Sequence, residues 1–357
     1  MSDRSPMPAE SHPHRGGRDR ARAIGRQRSH GGPAEVLVVA GVHAAPRRRQ
    51  AAEFAWQPHS RLVPAEDWGE DGLVPASALA GGPGTVVLEV PAQVPVTHVI
   101  GELADEKGRV RLRAVVAVAC LHTLHADLAS DRSRALVDCL ETATHHALVG
   151  DGACAGDVAQ ARRILQALRP GALGVEGLHA GAAADGTWTA EPEADAGVGA
   201  EIDCAGWLRV LNGEWPEDRH DPGVAVARYE RLRPFHRGRL EDLAARWECG
   251  QAVPTAMPQG VRTGLRISGL CRIADRPEWT FRWDQVGTNL ELHPLAPDSA
   301  VVGAETSDGL ESELLCLGPE LALFGWGDDV DLAPVVADLD AALLTDAEFA
   351  AGPEAWG

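Results

Sequence analysis

Three short apolar runs in the first half of the chain predict buried strands. Residues 36–40, 86–90 and 114–119 are nearly continuous Val, Ala and Leu, without alternating polar positions. Strands that are buried on both faces of a parallel sheet have this composition. Helical patterns follow or separate them, such as residues 157–168 with apolar side chains on one face. Strands that alternate with helices predict a doubly wound α/β domain over residues 34–179.

The second half predicts a smaller α+β domain. Leu240, Leu243 and Trp247 recur at helical spacing, as do the Leu and Val residues of 332–343, where Asp331 is placed to cap the helix. Further strands are predicted at residues 289–293 and 321–326, so we expect a small sheet with two helices over it.

The two halves are joined by a predicted linker. Residues 181–199 are rich in Ala, Gly, Asp and Glu and lack periodicity. Trp207, Leu208 and Leu211 then predict one apolar face of a short docking helix. The predicted divisions are a tail (1–33), the α/β domain (34–179), the linker with its docking helix (180–220) and the C-terminal domain (221–357).

Charge and composition exclude some classes of partner. The formal net charge is −19, whereas a nucleic-acid-binding body needs a basic face, so we expect no nucleic-acid partner. No apolar run approaches the roughly 18 to 20 residues of a membrane helix, and the N-terminus has no secretory pattern. Seven cysteines, none in a CxxC pair, suit a reducing cytoplasm.

The first 33 residues differ from the rest of the chain. They hold seven arginines against three acids, with many Gly, Pro, Ser and His, and this composition predicts a disordered basic tail. A nucleic-acid or membrane-tethering arm and a misassigned start codon are the alternatives for this segment.

The second half contains several distinctive stretches: GWLRVLNGE at 206–214, RPFH at 233–236, GLCRIADRP at 269–277, WDQVG at 283–287 and LLTDAEFAAGPEAW at 343–356. Together they resemble the CobW family, P-loop GTPases with a C-terminal domain that are tied to metal delivery. The resemblance implies a P-loop NTPase-like sheet followed by a CobW C-terminal domain. It also implies GTP and Mg²⁺ as ligands, delivery of zinc or of cobalt for cobalamin, and a metal-dependent client protein as the partner.

The loop after the first strand departs from the P-loop pattern. In that pattern, glycines let backbone N–H groups surround the phosphates, a lysine reaches the terminal phosphates, and a Ser/Thr hydroxyl holds Mg²⁺. Here residues 41–49 are GVHAAPRRR: Gly41 matches the first glycine, Arg47 replaces the lysine and Arg48 replaces the Ser/Thr. Pro46, where a glycine belongs, has no N–H to donate.

These replacements predict a degenerate nucleotide-binding loop. Arg48 cannot ligate a cation, and Arg47 keeps the charge of lysine without its compact point contact. We therefore expect no ordinary GTP hydrolysis at Gly41, Arg47 and Arg48. An arginine cluster at a helix N-terminus is able to hold another anion, but the interpretation we favour is a solvated basic patch.

Other positions of the family pattern are altered as well. Glu89 matches the acidic residue that supports the Mg²⁺-bound water in the family, and it is equally explained as a strand-end carboxylate. Cys120 stands where an aspartate usually ends the third strand. Residues 147–153 occupy the place of the guanine-reading Asn-Lys-x-Asp without its Asn or Lys, and the internal Cys-x-Cys-Cys of the family is missing.

Cys120, His122 and His125 are candidate metal ligands. Their spacing places two imidazoles about one helical turn apart beside a thiol, and sulfur with imidazole is a ligand set that zinc prefers. Further groups of this kind fall in the same predicted domain: Cys139, His145, His146 and Cys154. The interpretation we favour is a buried cysteine beside surface histidines.

Two hypotheses for function follow. The first is a CobW-like pseudo-GTPase that acts by binding a partner or a metal through the retained fold. The alternative is an active GTP-binding metallochaperone with an atypical P-loop, in which GTP gates the transfer of zinc or cobalt. The missing lysine, Ser/Thr and guanine-reading residues favour the first and leave enzymatic activity an open question. A third hypothesis is that the gene has decayed and has no current role.

Overall fold

The computed structural model describes residues 33–80, 84–106, 108–150, 153–175, 205–215, 223–248, 264–297, 316–327, 330–352 and 356. The predicted basic tail up to residue 32, the predicted linker at 181–199 and the single lysine, Lys107, lie outside these residues. The predicted domain boundaries at 179/180 and 220/221 also fall outside them, so these boundaries stay predictions.

The first half contains a parallel sheet of six strands. They are β1 (Ala34–Ala40), β2 (Ser60–Val63), β3 (Thr85–Glu89), β4 (Val110–Cys120), β5 (His145–Val149) and β6 (Leu173–Gly174), in the order β2-β3-β1-β4-β5-β6. The helices are α1 (Ala44–Ala55), α2 (Val96–Asp105), α3 (Leu124–Leu128), α4 (Ser133–Thr142) and α5 (Ala155–Leu168). The three strands predicted from apolar runs are β1, β3 and β4, and the predicted doubly wound α/β domain is confirmed.

Helices cover both faces of this sheet. Phe54 of α1 packs on one face with Leu37 and Val39 of β1, whereas α2, α4 and α5 bury apolar side chains against the other face. Because α1 follows β1 and α2 follows β3, the connections leave these adjacent strands toward opposite faces. Such a switch point opens a crevice at the carboxyl ends of the strands, where doubly wound proteins bind ligands.

The second half contains an antiparallel sheet of five strands with the order β10-β9-β8-β11-β7. The strands are β7 (Val224–Glu230), β8 (Gly264–Cys271), β9 (Trp279–Val286), β10 (Asn289–Pro297) and β11 (Glu320–Trp326). The helices are α6 (Gly206–Leu211), α7 (Arg237–Glu248), α8 (Ala333–Ala342) and α9 (Asp346–Ala351).

Two helices cover one face of this second sheet, as predicted. Leu240, Leu243 and Trp247 of α7 are buried with Leu339 of α8 in one core cluster. Trp283 lies at its centre, with its ring 5.4 Å from that of Phe235 and 6.4 Å from that of Trp247, measured between centroids. The N-cap residue of α8 is Leu332 and not the predicted Asp331. Asp331 lies one residue earlier, and its carboxylate accepts a hydrogen bond from the N–H of Ala333 at 2.8 Å.

Two stretches that carry the family resemblance meet beside this core. The N–H of His236 donates to the carbonyl of Ala342 at 2.9 Å, and the N–H of Leu344 donates to the carbonyl of Pro234 at 3.0 Å. Phe235 forms a bridge to Leu343 between them. The RPFH corner and the start of the LLTDAEF stretch therefore stabilise each other, so both motifs have a structural role here.

Helix α6 lies between the other face of the second sheet and α5 of the first domain. A Cβ at Gly206 would lie 2.2 Å from the carbonyl oxygen of Ala167, so the close approach of α6 to α5 requires glycine. Of the predicted apolar face, Trp207 and Leu211 pack against the first core cluster, whereas Leu208 does not and Val210 is buried there. Within the described part of the chain, no helix is long and apolar enough to cross a membrane.

Candidate functional site

The candidate loop lies at the switch-point crevice, between the end of β1 and the start of α1. His43 is the N-cap residue of α1. At Gly41, an added Cβ would lie 2.6 Å from the carbonyl oxygen of Val118 on β4. Glycine is therefore required here by the close approach of two backbones, whether or not a phosphate binds.

Arg47 and Glu89 form a buried ion pair across the crevice. The Nε of Arg47 donates to Oε1 of Glu89 at 3.2 Å, and its Nη1 donates to the carbonyl of Gly41 at 2.7 Å. The two residues are 4% and 2% exposed. The second carboxylate oxygen of Glu89 accepts from the N–H of Ala65 at 3.4 Å. The structure thus brings the predicted site residues Gly41, Arg47 and Glu89 together. Arg47 donates its hydrogen bonds to the other two and not to a ligand.

Arg48 takes part in a different contact. Its guanidinium pairs with Glu66, in the 3-10 turn Ala65–Asp67 after β2, and both side chains are exposed. A backbone hydrogen bond at Glu66 and the pairing with Arg48 lower the pKa of the Glu66 carboxyl group. The residue in the place of the Mg²⁺-holding Ser/Thr therefore forms a surface ion pair. The favoured interpretation, a solvated basic patch, is wrong for Arg47, which is buried.

A cluster of His43, Thr123 and Asp127 holds the other side of the loop. Nε2 of His43 lies 2.7 Å from Oδ2 of Asp127 and 3.1 Å from Oγ1 of Thr123. Thr123 itself donates to Oδ2 of Asp127 at 2.6 Å. Since an ionised carboxylate only accepts, we assign the ring proton to Nε2, which donates to Asp127. Sequence spacing gave no signal for this cluster, because His43 and Asp127 lie far apart in the chain.

Three polar side chains of the loop therefore have partners on three separate elements. His43 contacts Asp127 on α3, Arg47 contacts Glu89 on β3, and Arg48 contacts Glu66 after β2. This arrangement holds the loop closed against its neighbours. The guanidinium groups of Arg47 and Arg48 are therefore committed to carboxylates and are not directed at a phosphate.

The candidate metal ligands occupy the neighbouring corner. Cys120 ends β4 and is half-buried, His122 lies in the following turn, and His125 belongs to α3. Among the residues that the structure describes, no three His, Cys, Asp or Glu side chains are grouped so that they could hold a metal ion. The set of Cys120, His122 and His125 accordingly stays a prediction.

The other cysteines and histidines named as possible ligands are buried or take part in hydrogen bonds within the fold. Cys139 is buried in α4, and burial raises the pKa of its thiol to about 12. Burial lowers the pKa of His145 and of His146 to about 4, and Nε2 of His146 hydrogen-bonds to the carbonyl of Leu140 at 3.1 Å. The sulfur of Cys154 caps α5. These groups help to form the fold and do not converge with Cys120.

No protein-family model matches the chain, and no curated protein matches it. Solved structures similar to it include the Zn(II)-bound YjiA GTPase from E. coli, with 10% identity over 87% of this chain and 99% of that one, and a TM-score of 0.35. A Zn(II)-bound triple mutant of YjiA gives 11% identity over the same shares and a TM-score of 0.32. Similarity this low supports neither a family assignment nor a ligand.

Proposed function

We propose that the chain is a CobW-like pseudo-GTPase, which binds a partner or a metal through its fold and does not hydrolyse GTP. The observation that supports this proposal is the buried pair of Arg47 and Glu89, closed by the hydrogen bond from Arg47 to the Gly41 carbonyl. The family resemblance suggests a metal-dependent client protein as the partner.

A phosphate at the lysine position would have to compete with Glu89 for the guanidinium of Arg47. A P-loop lysine must reach the terminal phosphates, whereas the guanidinium of Arg47 is 4% exposed and already paired. To contact a phosphate, Arg47 would have to leave the buried Glu89 carboxylate without its cation, which costs about 3–5 kcal/mol. That cost corresponds to a loss of affinity of roughly 150- to 4,000-fold.

Nucleotide binding tests the proposal directly. We expect a fluorescent GTP analogue with Mg²⁺ to show no saturable micromolar binding to the purified protein, and GTP to be hydrolysed no faster than in buffer. Micromolar binding that is lost in Arg47→Ala and kept in Arg48→Ala would instead support the alternative, an active metallochaperone with an atypical loop. Circular dichroism of both variants checks that they are folded.

Metal binding needs its own experiment. If Cys120 helps to bind zinc, metal analysis should find zinc in the purified protein and lose it in Cys120→Ser. His98→Gln is a suitable control, because His98 pairs with Glu102 on α2 and is not in the candidate set. Absence of zinc, or zinc that persists in Cys120→Ser, would leave partner binding as the proposed mode.

A further inference from the structure

A groove of about 230 Å³ opens in the C-terminal domain between α7 and the edge of the second sheet. We call it the α7 groove, and its apolar lining is Leu240, Ala244, Ile273, Phe281, Leu290 and Leu292. Leu240 and Phe281 belong to the buried core, so the groove gives a ligand access to core side chains.

The groove exists because the helix layer is narrower than the sheet. Two helices packed side by side span about 20 Å, whereas five strands span about 24 Å. Among the described strands, β10 pairs only with β9 and forms the edge next to α7. Its alternate residues Leu290 and Leu292 are only partly buried against the core. An apolar surface therefore remains accessible beside α7.

Charged side chains form the rim, and one of them, Arg276, has no ion-pair partner among the residues that the structure describes. Nε of Arg237 donates to Glu241 and its Nη1 donates to Asp275, both at 2.8 Å. These two hydrogen bonds raise the pKa of Arg237 above its ordinary value. Arg276 also lines the groove and is exposed, and its guanidinium makes no ion pair or hydrogen bond with any residue that the structure describes. Within the described part of the chain, the guanidinium of Arg276 is thus an unpaired cation next to the apolar lining of the groove.

We propose that the α7 groove binds a small apolar carboxylate. The ligand places an aliphatic or aromatic body on the Leu240, Phe281 and Leu292 floor and pairs its carboxylate with Arg276. The volume accommodates a body of about the size of one amino-acid side chain, which favours a free small molecule over an extended peptide. This site is independent of the loop at Gly41 and of the proposed pseudo-GTPase function.

A matched pair of probes tests the charge selection. N-acetyl-leucine carries the carboxylate, and N-acetyl-leucinamide is its neutral counterpart. In methyl NMR of the whole protein, we expect N-acetyl-leucine to shift the signals of Ile273, Leu290 and Leu292 saturably. The amide should bind about two- to fivefold more weakly, the range typical of an exposed ion pair.

Variants show which residues are responsible. Arg276→Gln should abolish the difference between the two probes and leave binding of the amide unchanged, whereas Ala244→Phe should fill the groove and remove both. Arg246→Gln is the control, since Arg246 lies on the same helix but pairs with Asp338.

Three results would overturn the proposal. They are an absence of methyl shifts, equal affinity for the two probes, and a difference that survives in Arg276→Gln. Much tighter binding of a peptide that ends in a free leucine carboxylate would also overturn it, because the ligand would then be a protein C-terminus.

Discussion

Arg266 of β8 donates two hydrogen bonds to the carboxylate of Glu141 on α4, from Nε at 2.8 Å and from Nη2 at 2.9 Å. Its Nη1 also pairs with Asp284 of β9. Burial by itself disfavours the charged guanidinium, but the two carboxylates more than offset it and raise the pKa of Arg266. A buried cation from the second sheet is thus fixed to a helix of the first domain.

We predict that Arg266→Met destabilises the protein by about 3–5 kcal/mol, because it leaves Glu141 buried without its cation. Urea denaturation, followed by circular dichroism, measures this change in the free energy of unfolding. The double variant Arg266→Met/Glu141→Met should recover most of the loss, since an apolar pair needs no compensation and Asp284 keeps its partner Arg134.

Arg237→Gln provides the control for this prediction. Arg237 pairs with Glu241 and Asp275, and its guanidinium is exposed in both pairs. Exposed pairs contribute little, so this variant should unfold at the same urea concentration as the wild type. If Arg266→Met also unfolded at the wild-type urea concentration, the pair of Arg266 and Glu141 would have no stabilising role.

We predict a comparable loss of about 3–5 kcal/mol for Arg47→Met, because Glu89 would be left buried and unpaired. The double variant Arg47→Met/Glu89→Gln should recover part of the lost stability, because it also removes the buried negative charge of Glu89. Arg48→Gln is the matched control, since its partner Glu66 is exposed. An Arg47→Met variant as stable as the wild type would mean that the pair does not hold the loop, which would weaken the pseudo-GTPase proposal.

The sequence predicts the fold where burial follows a simple pattern. The strands β1, β3 and β4 are buried on both faces, so their apolar runs are continuous, and α7 shows a regular stripe. Helix α1 shows no such stripe, because its buried side chains include Arg47 and Gln50. Strand β5 was missed because it is short and begins with His145 and His146.

The site is less predictable because its contacts are long-range. The position of the loop follows from Gly41 and the end of β1, but the pairing of Arg47 with Glu89 depends on β1 and β3 being neighbours in the sheet. The pairing of His43 with Asp127 likewise needs α3 to lie beside the loop. Residue types at the motif positions show that the phosphate chemistry is altered, but not which contacts replace it.

Acid pH should destabilise the protein through His145 and His146. Burial lowers the pKa of both to about 4, below the ordinary value of about 6.5 in the unfolded chain. Between these values the unfolded state binds protons that the folded state does not. The free energy of unfolding is therefore highest above pH 6.5 and falls as the pH decreases toward 4.

Urea denaturation between about pH 6.5 and 5 tests this dependence before most carboxylates titrate. His146→Gln can retain an N–H donor for the Leu140 carbonyl, which His146 contacts in the wild type, and it should reduce the pH dependence. An unchanged slope in this variant would show that His146 is not responsible.

Glu348, at the start of α9, should titrate at an unusually low pH. Its carboxylate accepts from Nη2 of Arg239 at 2.6 Å and from the N–H of Thr345 at 2.7 Å, and these hydrogen bonds lower its pKa to about 2. A depressed pKa means that the stabilisation is present above the unfolded value of about 4.3 and is lost as the pH falls toward 2.

Trp356 reports this titration, because its indole N–H donates to the carbonyl of Glu348 at 2.9 Å and its ring stacks on Phe349. We expect Arg239→Gln to move the midpoint of the acid change in tryptophan fluorescence upward, toward the ordinary pKa of glutamate. Carboxyl NMR of Glu348 should give the same midpoint. Arg233→Gln is the control, since Arg233 pairs with Asp346 on the same helix. A midpoint that stays low in Arg239→Gln would assign the shift to the capping hydrogen bonds of Thr345 alone.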